Sequence, residues 1–409
     1  MDKKRILFIA LFVLVTLLLG YLLYRVFFAK EELPVPTTPP PATVTPPTGG
    51  LPTTGAGAPR GGAVTPIAPA LPTTRERGRT ILTPQGEEVR RAERLVDQTI
   101  AAATSDAEGN PSFYNREDNR FYRIKQDGTT EPMSDQAFFN VQNVTWSPST
   151  NESIIEYPDG ANIYYNFDTK KQVTLPKHWE DFSFAPAGDQ IAAKSIGLSA
   201  ENRWLIAANP DGSNTRLIES LGNNERKVTV DWSPNKQIIA LSRTGDPLGG
   251  DREEVLFVGL QGENFRSTIV EGRDVRSEWS PEGKRLLYSV YSTRSEYKPE
   301  LWVVNAEGES IGTGRKLLNV STWADKCAFA SERYVYCGVP TSLPTGAGFA
   351  PALADAIRDE IFRIDASTGI KTKITVDGAH TIDSMFVSDD GSTLFFTDKT
   401  QNGLFRVQL

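Results

Sequence analysis

Hydrophobic and polar positions follow three different patterns along the chain. Residues 6–24 carry no charge and are almost wholly apolar. Residues 33–78 contain almost no large apolar side chains. From about residue 93 onward, Val, Ile, Leu, Tyr and Phe alternate with polar residues in short runs, the period-2 signature of half-buried strands. Short turns such as Asn209-Pro-Asp-Gly, Pro281-Glu-Gly and Asp389-Asp-Gly separate the runs, and no long 3.6-residue period appears. Before them, residues 84–100 open with a short charged stretch that suits a helix.

The β region repeats. Trp146-Ser-Pro, Phe184-Ala-Pro, Trp232-Ser-Pro and Trp279-Ser-Pro are each followed by a turn and an apolar run, with degraded copies at Phe329 and Phe386. Successive spacings are 38, 48, 47, 50 and 57 residues, a period that marks a repeat architecture. Further strands, beginning at Arg120, Asn162, Arg203, Glu254, Glu300, Glu360 and Gly403, lead into turns and raise the count to seven modules. These fall at about 97–140, 141–178, 179–226, 227–273, 274–321, 322–380 and 381–409. A four-stranded unit repeated radially is a propeller blade. The expected fold is therefore an all-β, seven-bladed β-propeller over residues 84–409, with six or eight blades as the alternatives. The last module ends after its third strand, so closing the ring predicts that Glu93–Val96 supplies the missing outer strand.

The pattern Trp-Ser-Pro, a turn and an apolar strand is similar to the WD40-like repeat of TolB-type propellers. It also resembles the propeller halves of prolyl-oligopeptidase-type enzymes. With its single N-terminal apolar segment and Pro/Thr stretch, the chain resembles membrane-anchored TolB-like propeller proteins of bacteria. Trp146, Trp232 and Trp279 match the repeat well; Phe184, Phe329 and Phe386 depart from it. All six aromatics are expected to pack blade against blade.

Residues 6–24 as a helix would span about 28 Å, close to a bilayer's hydrocarbon thickness. We read residues 1–5 as a cytoplasmic tail and 6–28 as a transmembrane helix. Lys3, Lys4 and Arg5 place the N-terminus in the cytoplasm. A cleaved signal peptide is the rival, but its apolar region is shorter and ends in small residues. Residues 29–83, rich in Pro, Thr and Gly, are expected to form a disordered linker. Leu51-Pro-Thr-Thr-Gly55 within it matches a sortase pattern but lies on the wrong side of the apolar segment. The propeller is thus expected outside the cytoplasm, in the periplasm or on the cell surface.

Composition narrows the chemistry. A formal charge of −7 without basic runs argues against nucleic acid. With two Cys and two His, a Cys/His metal site is improbable, and no cofactor is expected. Cys327 and Cys337 stand symmetrically about Glu332 and are expected to face each other across a hairpin as a disulfide, with two buried thiols as the alternative. Asp389-Asp390-Gly391 misses a sialidase-type spacing by one residue and reads as a turn. Nucleophile elbows, Walker loops and dinucleotide loops are missing. Polar residues just upstream of the aromatics are expected at one rim of the channel: His178 and Asp181 before Phe184, Arg276 before Trp279, Lys326 before Phe329, and His380 and Asp383 before Phe386. These are the candidate binding residues, set against the simpler reading of a solvated rim.

The function that follows is a non-enzymatic scaffold for a protein or peptide in the cell envelope, anchored to the membrane. The alternatives are a lactonase-like or glycan-acting hydrolase using Asp181, Asp383 and the histidines at the channel mouth, and a purely structural envelope component.

Overall fold

A computed structural model describes residues 12, 14–19, 21, 81–82, 88–246, 248–263 and 265–409. The chain divides into two units, residues 1–71 and 72–409. In the first, residues 12, 14–19 and 21 are helical. Among the described residues no helix is long and apolar enough to cross a membrane. Most of the span expected over 6–28, and nearly all of the linker over 29–83, lie outside the described residues.

In the second unit the described residues form seven four-stranded antiparallel sheets and one short hairpin, Ile81–Leu82 with Glu88–Val89. Blade 1 consists of Ile100–Ser105, Pro111–Asn115, Arg120–Ile124 and Thr130–Pro132. Blades 2 to 6 follow in the same order, with innermost strands Asn143–Trp146, Trp179–Phe184, Val228–Val230, Arg273–Trp279 and Cys327–Phe329. Blade 7 runs Ile382–Val387, Thr393–Asp398 and Leu404–Gln408, and its fourth strand is Glu93–Val96. Glu93 lies opposite Arg406 and Val96 opposite Leu404. The N-terminal segment thus closes the ring, as the truncated seventh module predicts. The fold is a seven-bladed propeller.

The repeat has a local cause. Ser147, Ser233, Ser280 and Ser388 each donate their amide to the carbonyl five residues on, closing the turn between the first two strands. In Ser233, Ser280 and Ser388 the hydroxyl oxygen also accepts the amide of that same residue: Ile238, Arg285 and Thr393. Serine's short polar side chain is suited to such local backbone capture.

The aromatics sit between blades. Each of the seven blade-to-blade contacts holds its own apolar cluster. Phe184, Trp232, Trp279 and Phe329 are buried in the cluster shared with the preceding blade. Trp146 packs there too and donates its indole N–H to the Ala102 carbonyl of blade 1 at 2.8 Å. Phe386 instead packs at the seam of blades 7 and 1, beside Val96, Phe113 and Leu404. Burial of this kind, at roughly 25 cal/mol per Å² of apolar surface, is the main force holding the ring together.

Cys327 and Cys337 are directly paired across the first two strands of blade 6 and form a disulfide. The hairpin register alone brings them together.

Candidate functional site at the top face and channel

The face on which the innermost strands begin also carries the loops between second and third strands; we call it the top face. Those loops are longest in blades 4, 5 and 6, at residues 243–252, 292–298 and 341–358. Between blades 5, 6 and 7 the 341–358 loop and the strand ends line a small cavity of about 50 Å³. Arg276, Lys326 and Asp383, three of the six residues expected at the rim, line it together with Trp323, Asp325 and Lys399.

Every charge in this cavity has a partner. Arg276 bonds Asp325 at 2.8 Å and reaches Asp274 at 3.4 Å. Lys399 pairs with Asp355 at 2.8 Å and Asp383 at 3.2 Å. Lys326 binds Asp359 at 2.7 Å, and that carboxylate also accepts the Ile382 amide. Burial drives the Asp359 pKa up, against the pull of Lys326. The buried indole N–H of Trp323 has no hydrogen-bond partner.

The other expected residues sit elsewhere. His380 is buried, not at the solvated rim: its ring contacts Asp398 at 2.9 Å and the Asp377 carbonyl at 3.1 Å. Burial opposes ionisation of Asp398, but His380 and the amides of Gln401 and Thr400 outweigh it and hold the carboxyl down at about 2. His178 is exposed on blade 3. Asp181, in a β-bulge at φ 58°, accepts Lys194 and the Val230 amide of blade 4, both at 3.0 Å. Neither lines the cavity that holds Asp383.

Two acids that the repeat did not single out line the central channel. Asp231 and Glu278 directly precede Trp232 and Trp279 and face a cavity of about 370 Å³ bounded by blades 1, 4, 5, 6 and 7. Ser277 donates to Asp231 at 3.0 Å across the blade boundary. Burial pushes Asp231 up to about 6, Ser277 notwithstanding. Burial, followed by the charges of Asp231 and Asp325, pushes Glu278 up to about 8. A carboxylate directly before the aromatic in two successive blades was the signal available in the sequence. Among the described residues no group of three or more His, Cys, Asp or Glu is placed to hold a metal ion.

The raised pKa of Glu278 has a measurable consequence. The unfolded chain loses this proton near pH 4.3, whereas the folded protein keeps it to about pH 8. Stability therefore falls as pH rises through that window and levels off above it. Glu278→Gln should melt above the parent at pH 8.5 and close to it at pH 4, by differential scanning calorimetry. A variant no more stable than the parent at pH 8.5 would contradict the raised pKa of this half-buried acid.

Among solved structures, the β-propeller domain of Myceliophteria thermophila Cps50 (Swd1) aligns with TM-score 0.52 at 11% identity, over 77% of this chain and 97% of that one. Hydrazine synthase of Kuenenia stuttgartiensis aligns with TM-score 0.50 at 11% identity, over 75% and 94%. TolB from Acinetobacter baumannii also matches, more loosely, with TM-score 0.41 at 11% identity over 66% and 64%. No family model and no curated protein sequence matches the chain. The likeness is one of fold alone: a β-propeller.

Proposed function

We propose that the protein is a membrane-anchored, extracytoplasmic propeller that serves as a scaffold for a protein or peptide partner, bound on the top face over blades 4 to 6. One observation carries this reading. The three longest top-face loops hold Leu248, Tyr297, Phe349 and Leu353 exposed, and the loop that carries Phe349 and Leu353 also lines the charge-paired cavity of Arg276, Lys326 and Asp383. Exposed apolar groups rimmed by polar residues mark interaction surfaces, and aromatic anchors carry much of the energy in such contacts. The disulfide and the absence of free cysteines among the described residues support an oxidising compartment. The uncharged segment at 6–24 supports an anchor.

The test is co-isolation from solubilised membranes. The full-length parent should retain a protein partner that Tyr297→Ser/Phe349→Ser loses, while both melt alike. A partner retained equally by both would place binding elsewhere.

A hydrolase is the second reading. It is favoured by the two channel carboxyls, whose pKa values are pushed apart, to about 6 in Asp231 and about 8 in Glu278; such separation is the pattern of an acid–base pair.

A further inference from the structure

Three rings stand together on the top face. Tyr291 and Tyr297 of blade 5 meet Phe349 of the blade 6 loop, with ring centroids 5.8 to 6.5 Å apart and edge-to-face. Phe349 is 60% exposed and Tyr297 38%. Aromatics left this open in a soluble domain call for a physical reason.

The cluster is held rigidly. Gly346 donates its amide to the Glu296 carbonyl at 3.0 Å, and Gly348 to that of Tyr297 at 2.7 Å. Gly348 has no room for a side chain, because a Cβ there would press on Tyr291. Glu296 and Tyr297 are both left-handed, at φ 55°. For a bulky residue such as Tyr this backbone is an outlier. Strain of this kind collects at ligand sites; the loop bears it while keeping the Tyr297 ring at the surface.

We propose that this platform binds an extended, proline-rich peptide. Exposed rings offer a surface to lie across rather than a groove, which favours an extended chain over a helix about 10 Å thick. Polyproline II rises about 3.1 Å per residue, so two residues match the ring spacing. Its carbonyls have no internal partners, and the two tyrosines supply hydroxyl donors. The nearby charges are already paired, Lys298 with Glu296 and Arg294 with Glu300, each at 2.7 Å, so the patch suits an uncharged ligand. Aromatic-lined surfaces recognise proline-rich segments because those segments lose little entropy on binding.

This inference rests on the top-face reading above. The test is fluorescence anisotropy on the full chain in nanodiscs, with a labelled ten-residue polyproline peptide and a Gly-Ser peptide of equal length. The polyproline peptide should bind at least about ten-fold tighter. Phe349→Ser should remove that advantage and Phe349→Trp should keep it. Equal binding of the two peptides, or full binding by Phe349→Ser, overturns the proposal. If the membrane partner depends on Phe349 while polyproline does not bind, the top-face reading survives and the proline chemistry fails.

Discussion

Gly403→Ala should cost about 3 kcal/mol or more of unfolding free energy. Gly403 leads into the third strand of blade 7 at φ 88°. A Cβ there would run into the carbonyl oxygen of Val96, the residue that completes the blade. Two penalties combine: roughly 1–3 kcal/mol for a non-glycine residue in a left-handed region, and roughly 1–3 kcal/mol for overpacking. The clash falls on the closing strand, whose Val96 is buried in the seam between blades 7 and 1. Gly222→Ala is the control. It has φ 55° and open space around it, so it carries the backbone strain alone, about 1 kcal/mol. Urea titration of both variants decides the matter. Equal losses would mean that the Val96 contact does not hold the ring closed.

Lys326→Met should lose about 3–5 kcal/mol. Lys326 and Asp359 are both nearly inaccessible, at 10% and 0% side-chain exposure. Removing the ammonium leaves a buried carboxylate with the Ile382 amide as its remaining close donor, and breaking such a pair is costly because of the charge left behind. Lys326→Met/Asp359→Leu removes both charges and should recover most of the loss, leaving about 1–3 kcal/mol for the orphaned amide. A double variant whose loss equals the sum of the singles would contradict the pairing. The experiment also separates roles at a position first picked out as a rim residue: a strong stability loss assigns Lys326 to the frame of the cavity.

How much of this was legible in the sequence depends on the range of the interaction. The blades were legible because period-2 strands and Ser-Pro turns are local; Ser280 and Arg285 close their turn within five residues. Ring closure was legible by counting, since a third strand at Gly403 without a fourth demands a partner from elsewhere. The disulfide followed from hairpin symmetry. What the sequence hid were contacts with distant partners. His380 looks like a rim residue until Asp398, eighteen residues on, draws it inside. Asp181 looks free until blade 4 supplies the Val230 amide. The platform was hidden most deeply. Tyr291 ends the second strand of blade 5, Tyr297 and Phe349 lie in loops outside the repeat, and the three meet only because the 341–358 loop folds back on blade 5.

We propose that the partner meets the top face over blades 4 to 6, and site-specific photo-crosslinking in intact membranes is the experiment that decides it. A crosslinker would be placed at Phe349 and Leu353 on the top face, and at Arg333 and Asp389 on the opposite face. One discrete protein adduct is expected at Phe349 and Leu353 and none at Arg333 and Asp389. An adduct confined to Arg333 and Asp389, or no adduct at any of the four, would contradict it.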